Sequence, residues 1–74
     1  MVEAGQTYRH SKTGRVVTII ALAKHSETLE DLVVYEEPEN EIGKTWVRPL
    51  GMFEEQVELP KGSGIMVPRF ALIS

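Results

Sequence analysis

Cysteine is absent from this 74-residue chain, which excludes disulfides and any zinc site built on thiolates. Histidine is nearly absent: His10 and His25 are the only two, and they are far apart in sequence. A metal site would need both of them plus convergent carboxylates, and no tight spacing supplies that set, so no metal and no cofactor is expected. Aromatics are few, with one Trp, two Tyr and two Phe. Long apolar runs are missing as well. The longest, Val16 to Ala23, is interrupted by Thr18 and falls far short of the roughly 20 residues that span a bilayer. The start, Met1-Val2-Glu3-Ala4-Gly5, lacks a basic region followed by an apolar stretch, so no signal peptide is expected. A cytoplasmic location is the resulting expectation, and no membrane partner. Gly62-Ser63-Gly64 lacks the lysine and helix that a phosphate-cradling loop requires. Net charge is -3, which counts against a dedicated nucleic-acid binder.

What is present describes a single small domain spanning residues 1–74. A chain this short buries only about 60% of the surface its unfolded form exposes, so a deep enclosed active site is hard to build. A small fold without staples points to a compact barrel or to a homo-oligomer. Charge is segregated. Arg9, Lys12, Arg15 and Lys24 precede a stretch from Glu27 to Glu41 in which every charged residue is acidic.

The spacing of β-branched and turn residues predicts strands over Gly5–His10, Arg15–Ala23, Leu32–Tyr35, Thr45–Arg48 and Met66–Ile73. Gly14 is the expected positive-φ residue of the turn Ser11–Gly14. Glu36–Gly43 reads as a solvated acidic loop. Leu50–Glu55 reads as one helical turn, with Met52 and Phe53 closing an end of the core, and Gln56–Leu59 is ambiguous. Valine and isoleucine on both faces of Arg15–Ala23 predict a sheet covered on both sides, as in a closed barrel. Val17, Ile19, Val33, Val47 and Phe70 are expected in one buried cluster. No internal repeat is evident. The expected fold is mostly β: a small SH3-like barrel of about five short strands with at most one short helical turn.

Two constellations could carry chemistry. His25 with Glu27, in the polar loop between the second and third strands, resembles a general base and its orienting carboxylate. The same residues could equally cap a turn. Trp46 and Arg48 alternate on one strand and so share a face, offering a stacking surface and a planar fork of donors. With Tyr8, His10, Tyr35 and Arg69 they would form an aromatic-basic patch. The alternative is a core Trp46 with Arg48 paired to an acid of the central loop, Glu27 first, holding that loop and orienting His25.

The combination of Tyr8-Arg9-His10, His25-Ser26-Glu27-Thr28, Val33-Val34-Tyr35, Trp46-Val47-Arg48-Pro49-Leu50, Met52-Phe53 and Arg69-Phe70 closely resembles a family of small bacterial proteins known only as a domain of unknown function. The resemblance spans roughly Gly5 to Leu72. It implies a stand-alone cytoplasmic bacterial domain, similar to SH3-like barrels, with no assigned activity. The family pattern often places an aromatic in the loop after the third strand, where this chain has Glu36 to Glu41 without one. The reading that follows is a non-catalytic binding module for a small anionic ligand or peptide. Its expected contact residues are Tyr8, His10, His25, Glu27, Tyr35, Trp46, Arg48 and Arg69. Its rivals are a small enzyme using His25 and Glu27, and an RNA-contacting accessory domain, the latter by fold analogy alone.

Overall fold

A computed structural model describes residues 2–38 and 45–74. Most of the acidic loop expected over Glu36–Gly43 lies outside the described residues. Seven short strands and one helical turn follow in the order β1 (Thr7–His10), β2 (Val16–Lys24), β3 (Asp31–Glu36), β4 (Thr45–Pro49), α1 (Leu50–Phe53), β5 (Gln56–Glu58), β6 (Met66–Pro68) and β7 (Phe70–Leu72). The fold is mostly β, as expected. No described helix is long and apolar enough to cross a membrane.

β1 to β4 form an antiparallel meander, and β7 returns to pair with β1, giving the strand order β4-β3-β2-β1-β7. β5 and β6 make a separate two-stranded hairpin. The returning last strand is what a curled sheet requires, but β4 does not pair with β7, so the closed barrel is corrected to an open sheet. The single last strand expected over Met66–Ile73 is interrupted at Arg69. Its backbone leaves the ladder, donating to the Glu55 carbonyl and accepting from the Ser11 N–H, both at 2.8 Å.

The core lies on one face of the large sheet and comprises Val2, Tyr8, Val17, Ile19, Val33, Tyr35, Phe53 and Phe70. Phe53 is 1% exposed and stacks on Phe70 with ring centres 4.2 Å apart and planes within 3°. Tyr8 meets the Phe53 ring edge-on at 5.2 Å and Tyr35 meets it at 5.7 Å, so four aromatic rings share one centre. α1 thus closes the core with Phe53, while its neighbour Met52 points outward.

Two expectations about faces are corrected. Val47 is 60% exposed, because it pairs with Val34 on the side away from the core. β2 is likewise covered on one side only. Its register shifts between Ile19 and Ala21, a bulge that leaves Ile20 without a partner. The extra residue lets Ile19 and Leu22, opposite Tyr35 and Val33, both take the core side of the sheet.

The two hairpin turns at the ends of β2 are the same object built twice. His10-Ser11-Lys12-Thr13-Gly14-Arg15 and His25-Ser26-Glu27-Thr28-Leu29-Glu30 share the pattern His-Ser-x-Thr. In each, the backbone N–H groups two and three residues on donate to the histidine Nδ1: Lys12 and Thr13 to His10 at 3.2 and 3.3 Å, Glu27 and Thr28 to His25 at 3.1 and 3.4 Å. The threonine hydroxyl then accepts the N–H two residues further on, from Arg15 at 3.3 Å and from Glu30 at 3.2 Å. Each turn ends in the left-handed region, at Gly14 (φ 77°) and at Leu29 (φ 62°). Leucine in that region meets its own carbonyl at a cost of about 1–2 kcal/mol. Leu29 is 69% exposed, so burial does not offset that strain. Replacing Leu29 with Gly is expected to raise stability by about 0.5–1 kcal/mol, after allowing for the greater unfolded-state freedom of glycine. A urea midpoint that falls in this variant would contradict the strain argument.

Candidate functional site

The concave side of the sheet is not filled to its end. Beyond the stacked phenylalanines a depression of about 240 Å³ opens, lined by His10, Thr13, Arg15, Val17, Tyr35, Glu37, Trp46, Arg48 and Phe70. Strand register explains the gathering. Trp46 pairs with Tyr35 and Arg48 with Val33, so both side chains of β4 stand on the core side. His10 pairs with Phe70 across β1 and β7 and meets its ring edge-on at 4.9 Å. The floor is apolar and aromatic, from Val17, Tyr35 and Phe70. The rim is polar, and Trp46 forms one wall with 43% of its surface exposed.

Charge on this rim is unevenly compensated. Arg15 donates to Glu37 at 2.9 Å, and that pair cancels. The Arg48 guanidinium lies 5.5 Å above the centre of the Phe70 ring, a cation–π contact. Among the described residues no carboxylate forms a salt bridge with Arg48. His10 sits beside it. Burial first, then the positive charges of Arg69 and Arg48, lower its pKa below the ordinary 6.5, with Glu37 opposing and Lys12 adding to the effect. Its Nδ1 is occupied as an acceptor by the turn, so the neutral ring carries its proton on Nε2. His10 is therefore a neutral donor at pH 7, not a cation.

A stability effect follows from the same geometry. The unfolded chain binds a proton at His10 near pH 6.5, whereas the folded chain binds it only at lower pH. Between those values the unfolded state holds more protons, so stability falls as pH is lowered through about 6.5. Protonation also replaces the Nδ1 acceptor with a donor facing two N–H groups. Denaturant midpoints at pH 7.5 and 5.5 should therefore differ more in the wild type than in His10→Gln. Equal slopes in the two proteins would contradict the assignment.

Of the eight residues expected at a ligand site, four meet here: His10, Tyr35, Trp46 and Arg48. The other four stand elsewhere. Tyr8 is a core residue on the far side of the aromatic stack. Its hydroxyl contacts Gln6 Oε1 at 3.0 Å, and its pKa is raised by burial and, less, by Glu54 and Glu3. Arg69 pairs with Glu55 at 3.4 Å, and its buried Nε has no hydrogen-bond partner. His25 and Glu27 sit in the opposite turn, separated from the His10 turn by the nine residues of β2, about 26 Å at the usual rise per residue. The Arg48–Glu27 pair is corrected: the Arg48 guanidinium lies 5.5 Å from the Phe70 ring, and no salt bridge joins it to Glu27 among the described residues. The cation that serves the turn is Lys24, 2.6 Å from Asp31. A core Trp46 is also corrected. Trp46→Ala should cost under about 1 kcal/mol, in the range of exposed sites, and not the several kcal/mol of a buried aromatic. Chemical denaturation of that variant is the check.

Thr13, Arg15, Val17, Glu37 and Phe70 were not anticipated at the site. Glu37 and Phe70 reach it through pairings of long sequence separation, for which local pattern holds no signal.

The fold and depression together define a small open-sheet β domain with a concave aromatic floor and a rim of mixed polarity. The family model for a protein of unknown function (DUF1653) matches residues 6–72, and the chain belongs to that family. No curated protein and no solved structure matches the chain.

Proposed function

We propose that this protein is a non-catalytic binding module for a small organic anion, held in the depression between Trp46, Arg48 and His10. The observation that carries the reading is the placement of Arg48: its guanidinium lies on the Phe70 ring at the mouth of an aromatic cavity. With Arg15 and Glu37 cancelling and His10 neutral, Arg48 is the uncompensated positive charge among the described residues of the rim. That favours a monoanion with an apolar body, such as a carboxylate on a flat ring or the C-terminal carboxylate of a peptide. Arg48 would take the carboxylate through its planar fork, His10 Nε2–H would donate to it, and Trp46 and Tyr35 would cover the apolar part.

The pairing that an enzymatic reading needs is not supported by the turn geometry. His25 Nδ1 accepts backbone N–H groups, and among the described residues no hydrogen bond joins the Glu27 carboxylate to that ring.

Trp46 is the sole tryptophan, so its emission reports on the cavity directly. Titration with aromatic monocarboxylates, with short peptides bearing a free C-terminus and with inorganic phosphate is the test. Saturable change with the carboxylates, weaker or absent with phosphate, is the expected result. No change with any carboxylate would overturn the reading.

A further inference from the structure

We infer that the convex face of the five-stranded sheet is a self-association surface, occupied by the same face of a second copy of this chain. Val33 and Tyr35 face the core, so Val34 and Glu36 face away from it. Register then places Val47, Ala21 and Thr18 on that outer side, through the pairs Val34↔Val47, Ala21↔Val34 and Thr18↔Glu36. The unpaired Ile20 joins them and is 46% exposed. On the same side, Val16 stands opposite Arg9. The result is a largely apolar strip across β2, β3 and β4, exposed at Ile20 and Val47 and half-buried at Val16, Thr18, Ala21 and Val34, with no charge inside it. A sheet with one face in the core and the other apolar and bare lacks the second packed layer that such faces normally find.

The two charges bordering the strip select the occupant. Arg9 lies on β1 and Glu36 on β3, on opposite sides of β2. They are two strand spacings apart, about 10 Å, and offset by two residues along the strands, too far to pair within one copy. Neither forms a salt bridge among the described residues. A two-fold axis running along β2 between two stacked sheets exchanges the β1 and β3 sides. It sets Arg9 of each copy over the half of the other that carries Glu36. Stacked sheets lie about 10 Å apart, a gap an arginine and a glutamate can bridge. The contact occurs twice by symmetry, as an isologous interface requires. An anionic membrane surface would find no cationic excess here, since one acid balances one base.

Five strands of about five residues give a footprint of about 400 Å² per copy, before side-chain relief is counted. The two faces together bury about 800 Å², below the roughly 1,000 Å² of a stable specific interface, so a weak, transient association in the high micromolar range is expected.

Sedimentation equilibrium of the full chain, from about 1 µM to about 500 µM, covers that range. The expected result is a concentration-dependent rise from 8.3 kDa toward twice that mass. Ile20→Lys and, separately, Val47→Lys should each weaken the dimer at least about tenfold by burying a charge without a partner. Both sites are exposed in one copy, so circular dichroism should be unchanged. Arg9→Glu alone should also weaken it, and Arg9→Glu with Glu36→Arg should restore it. A chain that stays at 8.3 kDa throughout would overturn the inference, as would a dimer indifferent to both lysine substitutions. The Trp46 response to carboxylates reads the opposite face, so loss of the dimer leaves it intact.

Discussion

Phe53→Ala should leave this chain largely unfolded at room temperature. Phe53 is 1% exposed, stacks on Phe70 and meets the rings of Tyr8 and Tyr35 at 5.2 and 5.7 Å. Deleting such a ring costs about 3–5 kcal/mol, the transfer term plus the cavity left behind. Native domains hold only about 5–15 kcal/mol, and one of 74 residues without disulfides sits near the bottom of that range. The neighbours that remain are aromatics of three strands with only the partly buried Leu50 to cover them, because Phe53 is the one fully buried side chain that α1 puts into the core. Phe53→Leu keeps most of the volume and should cost about half as much. Circular dichroism with urea titration reads both. A folded alanine variant with a midpoint close to wild type would show that the aromatic stack is not the centre of stability.

Arg48→Ala should sharply weaken the Trp46 response to carboxylates while the fold survives. Hydrogen bonds to a charged group contribute about 1.5–3 kcal/mol, which corresponds to a loss of roughly 10- to 150-fold in affinity. The stability change should be smaller, since what is lost is one cation–π contact with Phe70, about 0.5–1 kcal/mol where water has access. Arg48→Lys separates charge from shape. Lysine keeps the charge but not the planar fork, so intermediate affinity is expected. Unaltered affinity in the alanine variant would remove Arg48 from the site and with it the proposed anion.

The sequence was legible where local pattern decides structure. β2 and β3 are runs of Val, Ile and Leu, and their positions follow from that alone. Gly14 could be placed in its turn because glycine is the residue most at ease at positive φ. The equivalent position in the second turn is Leu29, so the same signal was absent there and the repeated His-Ser-x-Thr turn went unseen. The bulge at Ile20 was also invisible. An alternating pattern cannot say where a register slips, yet this slip decides which faces of β2 are covered. Val47 illustrates the same gap: its place among Trp46 and Arg48 fixes which residues share a face, but not which face meets the core. At the site, Trp46 and Arg48 were readable from their spacing on one strand. The expected Arg48–Glu27 pair rests on nearness in sequence, whereas the guanidinium lies over Phe70, whose strand pairs with β1 at His10.

The repeated turn has a consequence for how the molecule meets charged solutes. One hydrogen-bonded frame is displayed at both ends of a long strand, and its variable positions are filled with opposite signs. Lys12 and Arg15 decorate the copy beside the cavity, while Glu27 and Glu30 decorate the distant one. The backbone scaffolding is indifferent to that choice, because in each copy the bonds run to the histidine and the threonine, not to the charged side chains. Between the two turns the strand is therefore the axis of a local dipole, set by Lys12 at one end and by Glu27 and Glu30 at the other, Arg15 being paired with Glu37. In the field of an approaching anion the protein experiences a torque that turns its basic turn toward the anion and its acidic turn away, so encounters are biased before any contact is made.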